Sequence, residues 1–171
     1  MSRDESAQYY SEQQAAEREI LALLGGGDAM KAGRAEFYAW ALGNELDNTN
    51  RAIIAEYLVH RAMGCAERYR VAWNAFDLEA PDGTTIEVKA AGLVQSWESA
   101  QPCKPDFDIS KKKMAWLARE NRYIEQNCRN AHVWGFAVHE EHDRDKADPD
   151  TSQWSFDVTK SNWLDQGFGD Q

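Results

Sequence analysis

The chain has 171 residues, of which 43% are hydrophobic and 28% charged, and this composition is typical of a globular protein with a sizeable core. No stretch approaches the roughly 20 apolar residues of a membrane-spanning helix, and the polar, acidic N-terminus has no signal-peptide pattern. The formal net charge of −10 argues against a protein that binds nucleic acid avidly over its whole surface, because phosphate binding depends on positive charge.

Three cysteines, at positions 65, 103 and 128, are widely spaced and form no Cys-x-x-Cys pair. This spacing indicates neither a disulfide framework nor a structural zinc site. A reducing, cytoplasmic compartment is therefore the expected location.

Helices are predicted in the N-terminal part of the chain. Residues 6–24 favour a helix that ends at the triple glycine 25–27, which we interpret as a hinge. A second helix is predicted over 30–42. A third, over 51–64, carries an apolar stripe and ends at Gly64, a residue suited to the position after the last turn.

Two strands are predicted in the middle of the chain, over residues 70–80 and 84–91. Apolar and polar residues alternate over 76–79 in the first segment and over 86–89 in the second, which is typical of strands with one buried face. The intervening Pro81-Asp82-Gly83 favours a tight turn, because Pro presets φ, Asp bonds the nearby backbone and Gly tolerates positive φ. We therefore expect an antiparallel hairpin with a three-residue loop.

The expected register of this hairpin places several charged side chains on one face. It pairs Ala80 with Thr84 and, further from the turn, Asp77 with Glu87, with opposed Cβ atoms roughly 5 Å apart. Lys89 lies two residues beyond Glu87 and therefore points to the same face. Opposed carboxylates repel each other, and a hard divalent cation such as Mg²⁺ or Mn²⁺ relieves that repulsion. The alternative is a hairpin with exposed polar residues and a cross-strand ion pair.

The second half of the chain predicts a short strand at 107–109, a helix over 111–127, and strands over 131–139 and 153–159. Strands and helices in this order favour a mixed sheet flanked by helices. The predicted organisation is a helical extension with a glycine hinge over 1–27, a main domain over 28–160 and a short tail over 161–171.

Three elements stand in order along the chain: Glu56 within a predicted helix, then Asp77, then Glu87-Val88-Lys89. In this pattern the chain resembles the PD-(D/E)xK, or restriction-endonuclease-like, nuclease superfamily. The resemblance covers roughly residues 51–97 and departs from the namesake motif at Phe76, where the family has a Pro that the chemistry does not require. It implies an α/β fold with an αβββαβ core, a mixed central sheet flanked by helices, and here an extra N-terminal helix.

The resemblance also implies roles for these residues. Asp77 and Glu87 would ligate Mg²⁺ or Mn²⁺, with the Val88 carbonyl as a further ligand. Glu56 would be an auxiliary ligand, direct or through water, and Lys89 would be the catalytic lysine. The implied function is that of a metal-dependent nuclease that hydrolyses phosphodiester bonds in DNA, in restriction, repair, recombination or mobile-element defence.

Four further residues are candidates for contact with the substrate. Gln95 resembles the polar residue that some members of the superfamily place just after the motif. Lys111, Lys112 and Lys113 are the main basic concentration and would contact phosphates beside the cleft. The alternative for the three lysines is a solvated helix face, although lysine is slightly unfavourable at a helix N-terminus.

The expected partner is DNA, with RNA as a second option and no membrane. The sequence indicates no separate recognition domain, which suggests either a structure-selective enzyme or a subunit whose specificity comes from a homodimer or a protein partner. The alternative function is a non-catalytic interaction or scaffold protein that keeps the nuclease fold, which the acidic net charge favours.

Overall fold

The computed structural model describes residues 33–67, 69–97 and 103–169. The chain divides between Gly43 and Asn44 into two units. The first unit contains helix α1, Arg34–Leu42, which confirms the second predicted helix over the described residues. The helix predicted over 6–24 and the hinge at 25–27 lie outside the described residues.

The second unit is a mixed α+β fold. Its elements in chain order are α2 (Asn48–Met63), β1 (Leu78–Glu79), β2 (Thr85–Gly92), β3 (Lys112–Leu117), β4 (Arg122–Cys128), β5 (Val133–His139), β6 (Trp154–Lys160) and α3 (Ser161–Phe168). Four strands form a sheet in the order β1-β2-β5-β6, and β3 and β4 form a separate two-stranded sheet. β5 is parallel to β2, whereas the pairs β1–β2 and β5–β6 are antiparallel. Across the described ranges, no helix has the length and apolar character needed to cross a membrane.

Local signals fix both ends of α2. The Asp47 carboxylate accepts the Thr49 N–H at 2.9 Å, which satisfies a free donor at the helix start. Gly64 adopts φ 64°, the left-handed cap that favours glycine. The helix predicted over 51–64 is therefore confirmed, but it begins at Asn48, because Asp47 caps it ahead of the first apolar residue.

The predicted register of the β1–β2 hairpin is confirmed. Leu78 pairs with Ile86, and the Ala80 N–H donates to the Thr84 carbonyl at 2.9 Å, as a three-residue loop requires. Gly83 in the turn has φ 85°, a conformation that glycine adopts without strain. The turn residues therefore set the pairing on which the position of Asp77 depends.

The long first strand predicted for this hairpin is mostly wrong. Only Leu78–Glu79 pair with β2, and the residues just before them form bends and turns. Trp73 has φ 67°, a left-handed conformation that interrupts an extended chain. The strand predicted at 107–109 is also wrong, because the Asp108 carboxylate accepts the Ser110 N–H at 2.9 Å and this local turn competes with strand pairing.

The helix predicted over 111–127 is wrong as well. This segment folds into the β3–β4 hairpin, with Trp116 opposite Tyr123 and 4.8 Å between their ring centroids. Asn121 adopts φ 51° in the turn, a conformation that Asn tolerates better than most residues. Cross-strand aromatic pairing thus overrides a helix-like pattern. As a result, a hairpin stands before β5, where an αβββαβ core has a helix, and over the described residues only two strands, β1 and β2, lie between α2 and that hairpin instead of three.

The last two predicted strands are confirmed as β5 and β6. Residues Ser161–Phe168 form α3, where a tail was predicted. Leu164 of this helix is buried in a small cluster with Ala131 and Trp134. The Trp134 indole N–H also donates to the Ser161 hydroxyl at 3.0 Å, which fixes the start of the helix.

The main core lies between α2 and one face of the sheet. Ala55 of α2 and Ala137 of β5 are fully buried, and Ile86 and Val88 project from β2 into the same cluster. Because side chains alternate along a strand, Glu87 of β2 projects from the opposite face. The core therefore decides which face of β2 carries the charged residues.

A buried arginine holds the end of β2. Arg51 is only 1% exposed, and its guanidinium donates to the carbonyls of Leu46 at 2.9 Å and Val94 at 2.6 Å. It also donates to the Gln95 side-chain oxygen at 3.2 Å. A Cβ atom placed on Gly92 would come within 2.6 Å of the guanidinium carbon. Because these hydrogen bonds hold the guanidinium in place, a side chain at residue 92 would have to displace it, which favours glycine at this position.

We expect Gly92→Ala to lower the free energy of unfolding by roughly 1–3 kcal/mol, the usual cost of overpacking a filled site. Urea denaturation measures this change. Gly167→Ala is the matched control, because Gly167 lies in α3 with open space around its Cβ position. Equal stability of the two variants would contradict the packing argument.

Candidate active site

Glu87 and Lys89 lie together on the face of β2 that points away from the main core. The Lys89 Nζ donates to Glu87 Oε1 at 2.6 Å, and the ammonium lies 5.4 Å from the ring centroid of Trp134. Both charged side chains are largely shielded from solvent. The ion pair and the indole together therefore fix the position of the Lys89 ammonium.

Asp77 lies beside Glu87, just before β1 and not within it. Its backbone N–H donates to the Ile86 carbonyl at 3.0 Å, and its Oδ2 accepts the Val88 N–H at 2.7 Å. These two bonds flank Glu87, so the carboxylates are neighbours, as the register predicts. Because the backbone N–H and C=O of one strand residue face the same edge, the Val88 carbonyl also faces the edge that Asp77 occupies.

The acidity of Asp77 is strongly perturbed. Burial raises its pKa, and the charges of Glu87 and Glu56 raise it further, to about 7. The hydrogen bond from the Val88 N–H and the charge of Lys89 lower the pKa but do not outweigh these effects. A carboxyl group whose pKa is raised to near neutral pH by burial and by like charges is typical of functional sites. At such sites a bound cation or a proton relieves the repulsion between the carboxylates.

Glu56 is buried on α2 and forms an ion pair with Arg70. The Arg70 Nε and Nη2 donate to its two carboxylate oxygens at 2.5 and 2.7 Å, which is a bidentate arrangement. Direct ligation of a metal by Glu56 would therefore require this pair to open. The strand predicted over 70–80 gave no reason to place Arg70 against α2, because the residues before Phe76 do not alternate and form bends and turns in the structure.

Asp77 lies between two clefts. One, of about 210 Å³, is also lined by Glu56 and Arg70. The other, of about 350 Å³, is also lined by Glu87 and Lys112. The two glutamates thus approach Asp77 from different clefts. Within the described ranges, no group of three or more His, Cys, Asp or Glu side chains is arranged to hold a metal ion.

Gln95 does not join the acidic pair. Its side-chain oxygen accepts from Arg51, and its Nε2 donates to the Gly92 carbonyl at 3.0 Å. The residue is buried. In the structure Gln95 therefore supports the backbone at the end of β2.

The three lysines lie around the start of β3 and not on a helix. Lys112 lines the larger cleft, and its Nζ lies 3.6 Å from an Asp108 oxygen. The Lys111 Nζ lies 3.8 Å from Asp165 of α3, and Lys113 is exposed. Of the three, Lys112 shares a cleft with Asp77 and Glu87.

Aromatic side chains line the larger cleft, and the sequence analysis missed this feature. Four rings contribute: Trp73, Trp116, Tyr123 and Trp134. A helix over 111–127 would have placed two of them on an unrelated surface. The available signal was Asn121, a residue that favours a turn, between two aromatic residues in a segment also compatible with strands. We name this feature the aromatic cleft.

We expect Asp77→Asn to be more stable than the wild type at pH 8 by about 1–3 kcal/mol, since one pKa unit corresponds to about 1.4 kcal/mol. The folded pKa of Asp77, about 7, lies above its ordinary value of 3.8. Its stabilising contribution is therefore complete below pH 4 and is lost as the pH rises through 7. Asn keeps an oxygen for the Val88 N–H and carries no charge.

Urea denaturation at pH 5 and pH 8 tests this expectation, with Asp157→Asn on the exposed part of β6 as the control for loss of a carboxylate. The difference between Asp77→Asn and the wild type should shrink at pH 5. A difference that does not depend on pH would contradict the assignment of charge repulsion to Asp77.

Comparison with known proteins assigns no function to this chain. No protein-family model, no curated protein and no solved structure matches this chain. The basis for assigning a function is therefore the chemistry and geometry of Asp77, Glu87 and Lys89 and the cleft that they line or adjoin.

Proposed function

We propose that this protein is a metal-dependent nuclease that hydrolyses phosphodiester bonds, with DNA as the main substrate class. One observation carries the proposal: Asp77 and Glu87 are neighbours on a cleft, with the Lys89 ammonium 2.6 Å from a Glu87 oxygen. Two shielded carboxylates can hold a divalent cation, and an ammonium beside them can stabilise negative charge on a phosphate, so these groups suit metal-assisted phosphoryl chemistry.

We further propose that the second unit is a variant of the restriction-endonuclease-like core. A helix followed by the antiparallel β1–β2 pair, with β5 parallel to β2, is compatible with that core. In this variant the β3–β4 hairpin takes the place of the helix between β2 and β5. In this proposal Asp77, just before β1, and Glu87 and Lys89, on β2, are the residues of the motif.

The donor set suits a hard divalent cation such as Mg²⁺ or Mn²⁺. Asp77 and Glu87 offer carboxylate oxygens, and the Val88 carbonyl faces the same edge as Asp77. The repulsion that raises the pKa of Asp77 is a cost that a bound cation would remove. When bound, such an ion lowers the pKa of a coordinated water and polarises a phosphoryl oxygen.

In this proposal Lys89 acts at the scissile phosphate. An ammonium has three N–H donors, and one of them is taken by Glu87, so others can orient the attacking water or bond a phosphate oxygen. Its charge stabilises the negative charge that develops on the phosphate. In the proposed hydrolysis, the water oxygen bonds to phosphorus and gives up a proton, the bond from phosphorus to the 3′ oxygen breaks, and the 3′ oxygen takes up a proton from solvent. The products are a 3′-hydroxyl and a 5′-phosphate.

Glu56 acts indirectly in this proposal. Its charge is one of the three causes that raise the pKa of Asp77, while Arg70 occupies both of its oxygens. The same ion pair favours the second candidate function, a non-catalytic interaction or scaffold protein, because it neutralises one of the expected ligands. Cleavage and metal binding separate the two functions.

Cleavage is tested by incubating the protein with plasmid, linear, branched and single-stranded DNA, and with RNA, in Mg²⁺, Mn²⁺ or EDTA. We expect cleavage with either metal and none in EDTA. Asp77→Asn and Lys89→Met should slow cleavage about 100-fold or more, because each removes a group that stabilises the transition state. Asp157→Asn should cut like the wild type. A wild type that leaves every substrate intact would support the scaffold function instead.

Metal binding is tested by calorimetric titration with Mn²⁺ and Mg²⁺ and by the thermal unfolding midpoint. The metal should raise the midpoint of the wild type, because ligands that bind only the folded state stabilise it. Asp77→Asn and Glu87→Gln should lose this shift, whereas Glu56→Gln should keep most of it. Binding should weaken from pH 8 to pH 6, because the Asp77 pKa of about 7 makes protons compete with the metal. Equal affinity in all three variants would refute the proposed ligand set.

A further inference from the structure

We propose that the aromatic cleft binds an unpaired nucleic-acid strand and stacks its bases on Trp73 and on the Trp116–Tyr123 pair. This inference rests on the proposed nuclease function and names its substrate class as single strands, flaps or other unpaired segments. It predicts that an intact duplex is a poor substrate.

The first support is the exposure of the rings. Trp73 is 88% exposed and Tyr123 is 66% exposed, although both line a concave surface. The left-handed backbone of Trp73, at φ 67°, holds its indole at the cleft in a conformation that is strained for a bulky residue. Strain of this kind is often retained at ligand sites. Exposed aromatic faces in a cleft are the groups on which unpaired bases stack.

The second support is the charge around the hairpin. Arg119 pairs with Glu79 at 3.1 Å, and Arg122 pairs with Glu120 at 2.6 Å. Lys112 is also close to a carboxylate, that of Asp108. Duplex binding depends on neutralising several phosphates with cations. Nearby carboxylates offset the charge of these cations and so weaken their attraction for phosphates. The hairpin is therefore better suited to stacking on unpaired bases than to binding the two phosphate backbones of a duplex.

The third support is the position and size of the cleft. Its lining includes Asp77 and Glu87, so a strand whose bases stack on the rings brings its backbone to the acidic pair. A volume of about 350 Å³ is at the lower end of the range for small-ligand sites and accommodates one or two bases, not a duplex. Trp134 lies under the Lys89 ammonium and connects the aromatic cleft to the proposed chemistry.

The test is binding of labelled oligonucleotides, measured by fluorescence anisotropy in EDTA, where the proposed chemistry cannot proceed. The probes are a 20-nucleotide single-stranded DNA, its blunt duplex and the matching RNA. We expect the single strands to bind at least 10-fold more tightly than the duplex. The DNA and RNA probes show whether the sugar matters, and tight binding of either single strand supports the inference.

Variants assign the binding to the cleft. Trp73→Ala and Tyr123→Ala should each weaken single-strand binding about 10-fold, in keeping with the loss of one stacked base. Tyr123→Phe keeps the ring and should bind like the wild type, which separates stacking from damage to the hairpin. Trp163→Ala, an exposed indole on α3 outside the aromatic cleft, is the control.

The two proposals fail in different ways. Selective single-strand binding without cleavage in any metal would retain the inference and overturn the nuclease function. Metal-dependent cleavage of duplex at the same rate in wild type and Tyr123→Ala would retain the nuclease and overturn the inference. Equal binding of duplex and single strand, or no binding of either, would also overturn the inference.

Discussion

The alternation of side chains along β2 is the constraint on which the rest of the structure depends. Ile86 and Val88 must face α2 to complete the core, and this forces Glu87 and Lys89 to the opposite face. A shift of one residue would bury both charges and expose both apolar side chains. The guanidinium of Arg51 then holds the chain beyond the strand through carbonyl groups. The alternation along β2 therefore determines both the packing of the core and the position of the candidate catalytic residues.

The fold holds the carboxylates of Asp77 and Glu87 close together although they repel each other. Asp77 is held by the Ile86 carbonyl and the Val88 N–H, so it cannot turn away from Glu87 without losing hydrogen bonds. Lys89 offsets part of the negative charge, and Arg70 neutralises Glu56. A protein under selection for stability alone has little reason to keep such an arrangement, since activity and stability often oppose each other at functional sites.

The sequence predicted those parts of the structure that short-range chemistry decides. Pro81-Asp82-Gly83 and the alternation on both sides of it specify the hairpin register, and with it the position of Asp77. The ion-pair partner of Glu56 could not be predicted from the sequence, because Arg70 belongs to an irregular segment that only tertiary packing brings to α2. The β3–β4 hairpin was not predicted for a related reason. The contact between Trp116 and Tyr123 is made across two strands, but the spacing of these residues along the chain is also compatible with one face of a helix.

The parallel pairing of β2 with β5 has a consequence for the order of folding. Asp77, Glu87 and Lys89 come together in a local hairpin, a structure that forms within microseconds. Trp134, which covers the Lys89 ammonium, arrives only when the chain from residue 93 to residue 132 has crossed over, and such long-range closure is slow. Because the hairpin contacts are local and the β2–β5 pairing is not, we expect the acidic pair to form before β5 docks and to lose water only in that later step. Its electrostatic cost would then fall on the docking of β5.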